Sequence, residues 1–217
     1  MKKILTIVCI ATLLSCGSDS TRKNPCKHCD SIMVYGDIHM NQEDLESYKN
    51  PLVYNTQEWL YTSVSEDIVV AEGVPFSGRP YTMDSMYAPY GAAISSLQKE
   101  LIGDIMVNRL GTTMRFLFEG RKVVYGGEDD YLNKISHYKL YEEGPKNMED
   151  LGEIRKLSDL RSIAIAKNAE AIYEATHKKV AIIIGLSHLK WFEQNGYKVK
   201  YPPEFENLKA QYPSSFE

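Results

Sequence analysis

"VAIIIG", residues 180–185, is followed directly by "LSHLKWF", residues 186–192. A run of β-branched and small apolar residues without polar alternation reads as a strand covered on both faces. That is the signature of a parallel sheet with helices on either side. Gly185 closes the run and His188 stands three positions on. The same frame, Gly-x-x-His, ends a second apolar run at "VYGDIHM", residues 34–40, with Gly36 and His39.

Working outward from these two runs, strands are expected at 32–35, 67–71 ("DIVVA"), 122–125 ("KVVY"), 180–185 and 197–201 ("YKVKY"). Helical patterns fall between them at 42–49, 56–64, 92–118, 147–176, 188–194 and 204–211. Apolar runs separated by helices predict an α/β fold, a largely parallel sheet of about five strands with helices on both faces. Glycine and proline between 73 and 91 mark a long loop within one domain. Trp59 and Trp191 follow helical spacing and are expected in the core, and His177 sits where a helix ends and a cation complements the dipole.

The beginning of the chain reads differently. Lys2 and Lys3 precede an apolar stretch, Ile4 to Leu14, which is shorter than the ~20 residues a membrane-spanning helix needs. Leu13-Leu14-Ser15-Cys16 resembles a bacterial lipobox. Residues 1–15 are therefore expected to be a lipoprotein signal peptide, Cys16 the lipidated residue, 16–30 a polar tether, and 31–217 one α/β domain. An ordinary secretory signal or an uncleaved anchor is the alternative. The lipid reading places the chain in the bacterial cell envelope, held at the outer membrane. The formal charge of −4 and the absence of a basic run exclude a nucleic-acid binder. Cys26 and Cys29, in "CKHC", are expected to form a local disulfide or to remain two thiols outside the active site.

Polar residues converge on the predicted strand ends. His39 follows the first strand, Glu72 ends the second, Glu128 and Asp129 follow the third, and His188 follows the fourth. Ligands of open parallel sheets bind outside the carboxyl ends of the strands. Histidine and carboxylate are ligands for divalent metals and also the usual acids and bases. Each residue has a structural alternative. The histidines could be helix caps or core residues, Glu72 could pair with an arginine such as Arg79, and the acids at 128–130 could begin a helix. Gly36 and Gly185 would let the backbone approach a ligand, or would only relieve a tight strand-to-helix turn. His137 reads as a pocket or surface residue, and Ser187 as a helix N-cap. With no Gly-x-Ser-x-Gly motif, a serine nucleophile has no support.

"GDIHMNQED", "DIVVAEG" and "AKNAEAIYEATHKKVAIIIGLSHLKWFEQNGYKV" together resemble the TraB/PrgY/GumN superfamily, which includes the Tiki metalloproteases and is related to erythromycin esterases and ChaN-like haem-binding lipoproteins. The resemblance covers residues 32–201. It implies His39, Glu72 and His188 as catalytic residues and ligands of a divalent metal (Mn, Co or Zn), with Asn168 on the helix before the last motif. Arg161, two helical turns before Asn168, could supply the guanidinium that the family carries there. Asp37 stands where the family has a threonine or another small residue. The implied function is a membrane-tethered, metal-dependent hydrolase acting on a peptide or small-molecule amide or ester. A haem- or ligand-binding lipoprotein, and a metal-free esterase with His39 as general base, are the other two readings.

Overall fold

The computed structural model describes residues 26–38, 51–87, 111–145 and 147–206. His39, the expected helix at 42–49, most of that at 92–118, the end of the last one, the signal segment and Cys16 lie outside the described residues. Five strands form one sheet: β1 (Ile32–Asp37), β2 (Ile68–Pro75), β3 (Val123–Glu128), β4 (Val180–Gly185) and β5 (Lys198–Lys200). Their order is β3-β2-β4-β1-β5, and every pair is parallel. The α/β architecture read from the apolar runs is the one observed.

β4 occupies the centre, and all six of its residues are buried. Its alternate side chains feed two cores. Val180, Ile182 and Ile184 pack with Val34, Val70, Ile165 and Phe192 on one face. Ala181 and Ile183 pack with Tyr35, Val69, Leu60 and Phe116 on the other. Burying each large aliphatic side chain stabilises the fold by about 1.5–3 kcal/mol, which is why this short segment dominates the architecture.

The first core is covered by α5 (Met148–Thr176) and α6 (Leu186–Gln194), and the second by α1 (Pro51–Ser63) and the helical residues 111–118 of α3. Asn147 caps α5, its side chain accepting from the Glu149 and Asp150 N–H groups. His177 ends α5 in the left-handed conformation (φ 55°), with its N–H on the Tyr173 carbonyl. Trp59 and Trp191 pack at the margins of the second and first cores respectively.

Several expectations shift. The expected loop at 73–91 holds the last residues of β2 and a short helix, α2 (Met83–Tyr87). Nor is Glu72 the end of its strand. β2 runs to Pro75, because Gly73 adopts φ 77° and the register with β3 shifts there, so the strand bends and continues. β3 likewise extends past Tyr125, and Glu128 is its last residue. Residues 26–30, expected to belong to a tether, contact the folded domain. The Cys26 N–H donates to the Asn195 carbonyl (3.0 Å), the Lys27 N–H to Glu170 Oε1 (3.1 Å), and Cys26 and Cys29 form a disulfide. No helix among the described residues is long and apolar enough to cross a membrane.

Candidate functional site

After β2 the chain moves outward to β3, whereas after β4 it passes to β5 on the opposite side. The connections therefore diverge above the boundary between β2 and β4, a topological switch point, and the carboxyl ends of the strands at such a point are where open α/β sheets bind ligands. Glu72 rises from β2 at this boundary, and His188 sits in the first turn of α6, which leaves β4.

Their contacts build a buried polar cluster. Arg161, from α5, donates through Nη2 to Glu72 Oε1 (2.8 Å) and Glu128 Oε1 (2.5 Å), and through Nε to Glu128 Oε2 (3.2 Å). Glu72 Oε2 accepts the Gly185 N–H (2.5 Å), and His188 Nε2 lies 3.2 Å from Glu72 Oε1. The side chains of Arg161, Glu72 and Glu128 are 14%, 11% and 0% exposed. Two carboxylates buried this deeply need a cation, and Arg161 is placed to serve both. Burial works against its charge, but Glu72 and Glu128 more than offset that and hold the guanidinium proton more tightly than water does. Arg79, the other candidate partner of Glu72, lies in the exposed segment after β2.

The other ring nitrogen of His188 faces α5. Nδ1 lies 2.8 Å from Ser162 Oγ and 3.3 Å from Ser158 Oγ. Ser162 Oγ in turn donates to the Ser158 carbonyl (3.0 Å). With its proton committed there, Oγ accepts Nδ1–H, and Nε2 is the nitrogen that faces Glu72. Assigned this way, Nε2 and Oε1 confront each other as two acceptors, and the space between them is a place for one proton or one cation. A serine, a histidine and a glutamate thus stand in a row, but Ser162 is fully buried and orients the imidazole; it is not exposed to attack a substrate.

Ser158 and Ser162 are site residues that the sequence does not single out. Their signal is two hydroxyls four residues apart on the inward stripe of α5, which carries Arg161 beside them among apolar residues. Asp159, on the same helix, is partly buried, and burial raises its pKa while Arg155 and His188 act in the opposite direction.

The remaining predicted residues separate. Gly36 serves packing, since a Cβ there would lie 2.7 Å from Leu189 Cδ1 and 2.9 Å from Leu186 Cδ2. Gly185 spends its N–H on Glu72, so that group is not free for a substrate oxyanion. It also takes the N-cap position of α6 expected for Ser187, because β4 runs into the helix with no intervening loop. Asp129 is the N-cap of α4 (Asp130–His137), accepting from the Tyr131 and Leu132 N–H groups (both 3.0 Å), and His137 ends that helix. Asn168 donates to the Gly127 carbonyl (2.9 Å), tying α5 to β3 two turns beyond Arg161. Asp37, at the end of β1, accepts from Gln57 Nε2 (2.8 Å). Thr112 Oγ1 bonds Gln57 Oε1 (2.7 Å), so α1 and helix 111–118 hold the strand from which the first Gly-x-x-His continues.

Glu72 and His188 are residue types that ligate divalent metals, and a catalytic zinc site usually has three protein ligands. The Nδ1–H to serine bond is the supporting contact typical of a metal-bound histidine. Among the described residues no group of three His, Cys, Asp or Glu side chains surrounds a common point. His39, the third ligand that the resemblance implies, lies outside the described residues. Comparisons with protein-family models, curated proteins and solved structures find no match to this chain.

Proposed function

We propose that this chain is a hydrolase of amide or ester bonds, tethered to the bacterial cell envelope through Cys16 and similar to the TraB/PrgY/GumN superfamily. The observation that carries the reading is the His188 Nε2 and Glu72 Oε1 pair, 3.2 Å apart above the β2/β4 boundary. Two oriented acceptors at a switch point are equipped to take a proton from an attacking water and return it to the leaving group. Glu72 and His188, with His39, would hold a divalent ion of the Mn, Co or Zn type. When bound, such an ion supplies Lewis-acid polarisation and a more acidic water. The chain's own groups orient and move the proton. Ser162 fixes the imidazole, and Arg161 holds the Glu72 carboxylate in place.

A second reading has its own support. Arg161 already puts a positive charge on Glu72 Oε1 at 2.8 Å, so the pair could activate water with His39 as general base and no metal.

Elemental analysis of the protein after loading with Mn, Co or Zn separates the two. About one ion per chain, lost in both His39→Ala and His188→Ala, supports the metal form. Ester or peptide hydrolysis that survives chelators supports the metal-free form. A Soret band after haemin loading, without hydrolysis, moves the assignment to the haem-binding alternative. The tether is checked separately: Cys16→Ala should release the protein from the membrane fraction, and continued membrane association would sink the lipid anchor.

A further inference from the structure

Cys26 and Cys29 close a turn at the amino edge of the sheet, with Lys27 and His28 between them. β1 separates this turn from the His188 and Glu72 pair at the carboxyl edge, so the proposed hydrolysis makes no use of it. The turn is fastened without its sulfurs. The Cys26 N–H donates to the Asn195 carbonyl (3.0 Å), the Lys27 N–H to Glu170 Oε1 (3.1 Å), and the Ser31 and Ile32 N–H groups to the His28 carbonyl (2.8 and 3.0 Å). The His28 ring also lies against Tyr173, with 4.7 Å between centroids.

The constraint that a disulfide places on the unfolded chain grows with the loop it closes, and a separation of 3 residues closes a very short one. A cross-link that adds so little to a turn already held by backbone donors is one whose breakage the fold tolerates. Access points the same way. Both cysteines are half-buried and Lys27 is exposed, so the turn lies at the surface. The two sulfurs are unequal, because Cys26 packs against the first core and is tied to Asn195 at the end of α6, whereas Cys29 takes no part in that packing. Charge does not decide the matter: His28 meets Glu174 at 3.4 Å, Lys198 meets Asp30 at 2.7 Å, and the Lys27 N–H holds Glu170.

We propose that Cys26 and Cys29 form a redox-active disulfide that exchanges with thiols of other molecules, Cys29 being the sulfur attacked. An incoming thiolate bonds to Cys29 Sγ, the S–S bond breaks, and its electron pair leaves on Cys26, which takes up a proton. A second incoming thiolate bonds to the first sulfur and displaces Cys29, which is protonated in turn. The two incoming thiols leave as a disulfide, and the protein gains two electrons and two protons.

The test uses the full chain carrying Cys9→Ala and Cys16→Ala, in which Cys26 and Cys29 are the only cysteines. It is equilibrated in glutathione buffers of rising thiol-to-disulfide ratio, alkylated, and weighed by mass spectrometry. A reversible passage from the oxidised to the reduced pair is expected, with the circular dichroism unchanged, whereas structural disulfides resist the glutathione pool. A pair still oxidised at the highest ratio, or reduced only as the dichroism is lost, would overturn the proposal. In the same background, Cys26→Ser leaves Cys29 alone and Cys29→Ser leaves Cys26 alone. Given glutathione disulfide, the first variant should form its mixed disulfide about tenfold faster, because its thiol is the more accessible. Equal rates, or a faster reaction at Cys26, would overturn the order of attack. If either serine variant fails to fold, the glutathione titration of the intact pair decides.

Discussion

Arg161→Met is expected to lower folding stability by about 3–5 kcal/mol, the cost of removing one partner from a buried ion cluster. Methionine fills much of the arginine's volume, so the loss comes from charge and hydrogen bonds more than from a cavity. Glu128 would be left fully buried with the Gly73 N–H still donating to it, and Glu72 with the Gly185 N–H and His188. Against a total stability of ~5–15 kcal/mol, a loss of this size brings the protein close to unfolding. Urea denaturation should show a lower midpoint at unchanged slope. Adding Glu72→Gln and Glu128→Gln should recover a large part of the loss, because neutral amides need no cation. If Arg161→Met alone shifts stability by less than about 1 kcal/mol, the cluster is not the electrostatic unit described above.

The second large effect concerns turnover. His188→Ala should reduce hydrolysis by about 10²–10⁴-fold, the usual contribution of a positioned acid or base. Ser162→Ala keeps the imidazole but removes the acceptor for Nδ1–H, and a supporting contact of this kind is worth about 10–100-fold. The ordering of the two variants is the informative result. A purely structural His188 would lower stability in both variants while the specific activity of the folded fraction stayed constant. Activity should therefore be normalised to folded protein by circular dichroism.

The sheet was legible because its central strand is buried on both faces and leaves no alternation to misread, as "VAIIIG" shows. Strand ends were harder. The bend at Gly73 depends on a positive φ and on contacts with Glu128, which lies 55 residues away, and nothing local to "VAEGVP" announces that β2 continues to Pro75. For Glu72 the sequence pointed to Arg79, near in the chain. Arg161 is 89 residues distant, and only the packing of α5 across the sheet makes it the partner. Gly36 illustrates the converse problem, since a glycine that admits a ligand and a glycine that admits Leu189 look identical in sequence. Ser158 and Ser162 were readable in principle, as polar residues at i and i+4 on the face that also carries Arg161, but serines in a long helix are too common to single out alone.

The polarity of the sheet has a practical consequence. Residues 26–31 join the domain where the strands begin, and the His188 and Glu72 pair sits where they end. A six-residue strand separates those two edges by about 20 Å. A biosensor surface or resin coupled upstream of Cys26 would therefore grip the domain at the amino edge of the sheet and leave the carboxyl edge facing molecules in solution. Coupling through residues at the carboxyl edge, such as the start of α4, would instead block the approach, which makes amino-side immobilisation the orientation of choice for screening substrates.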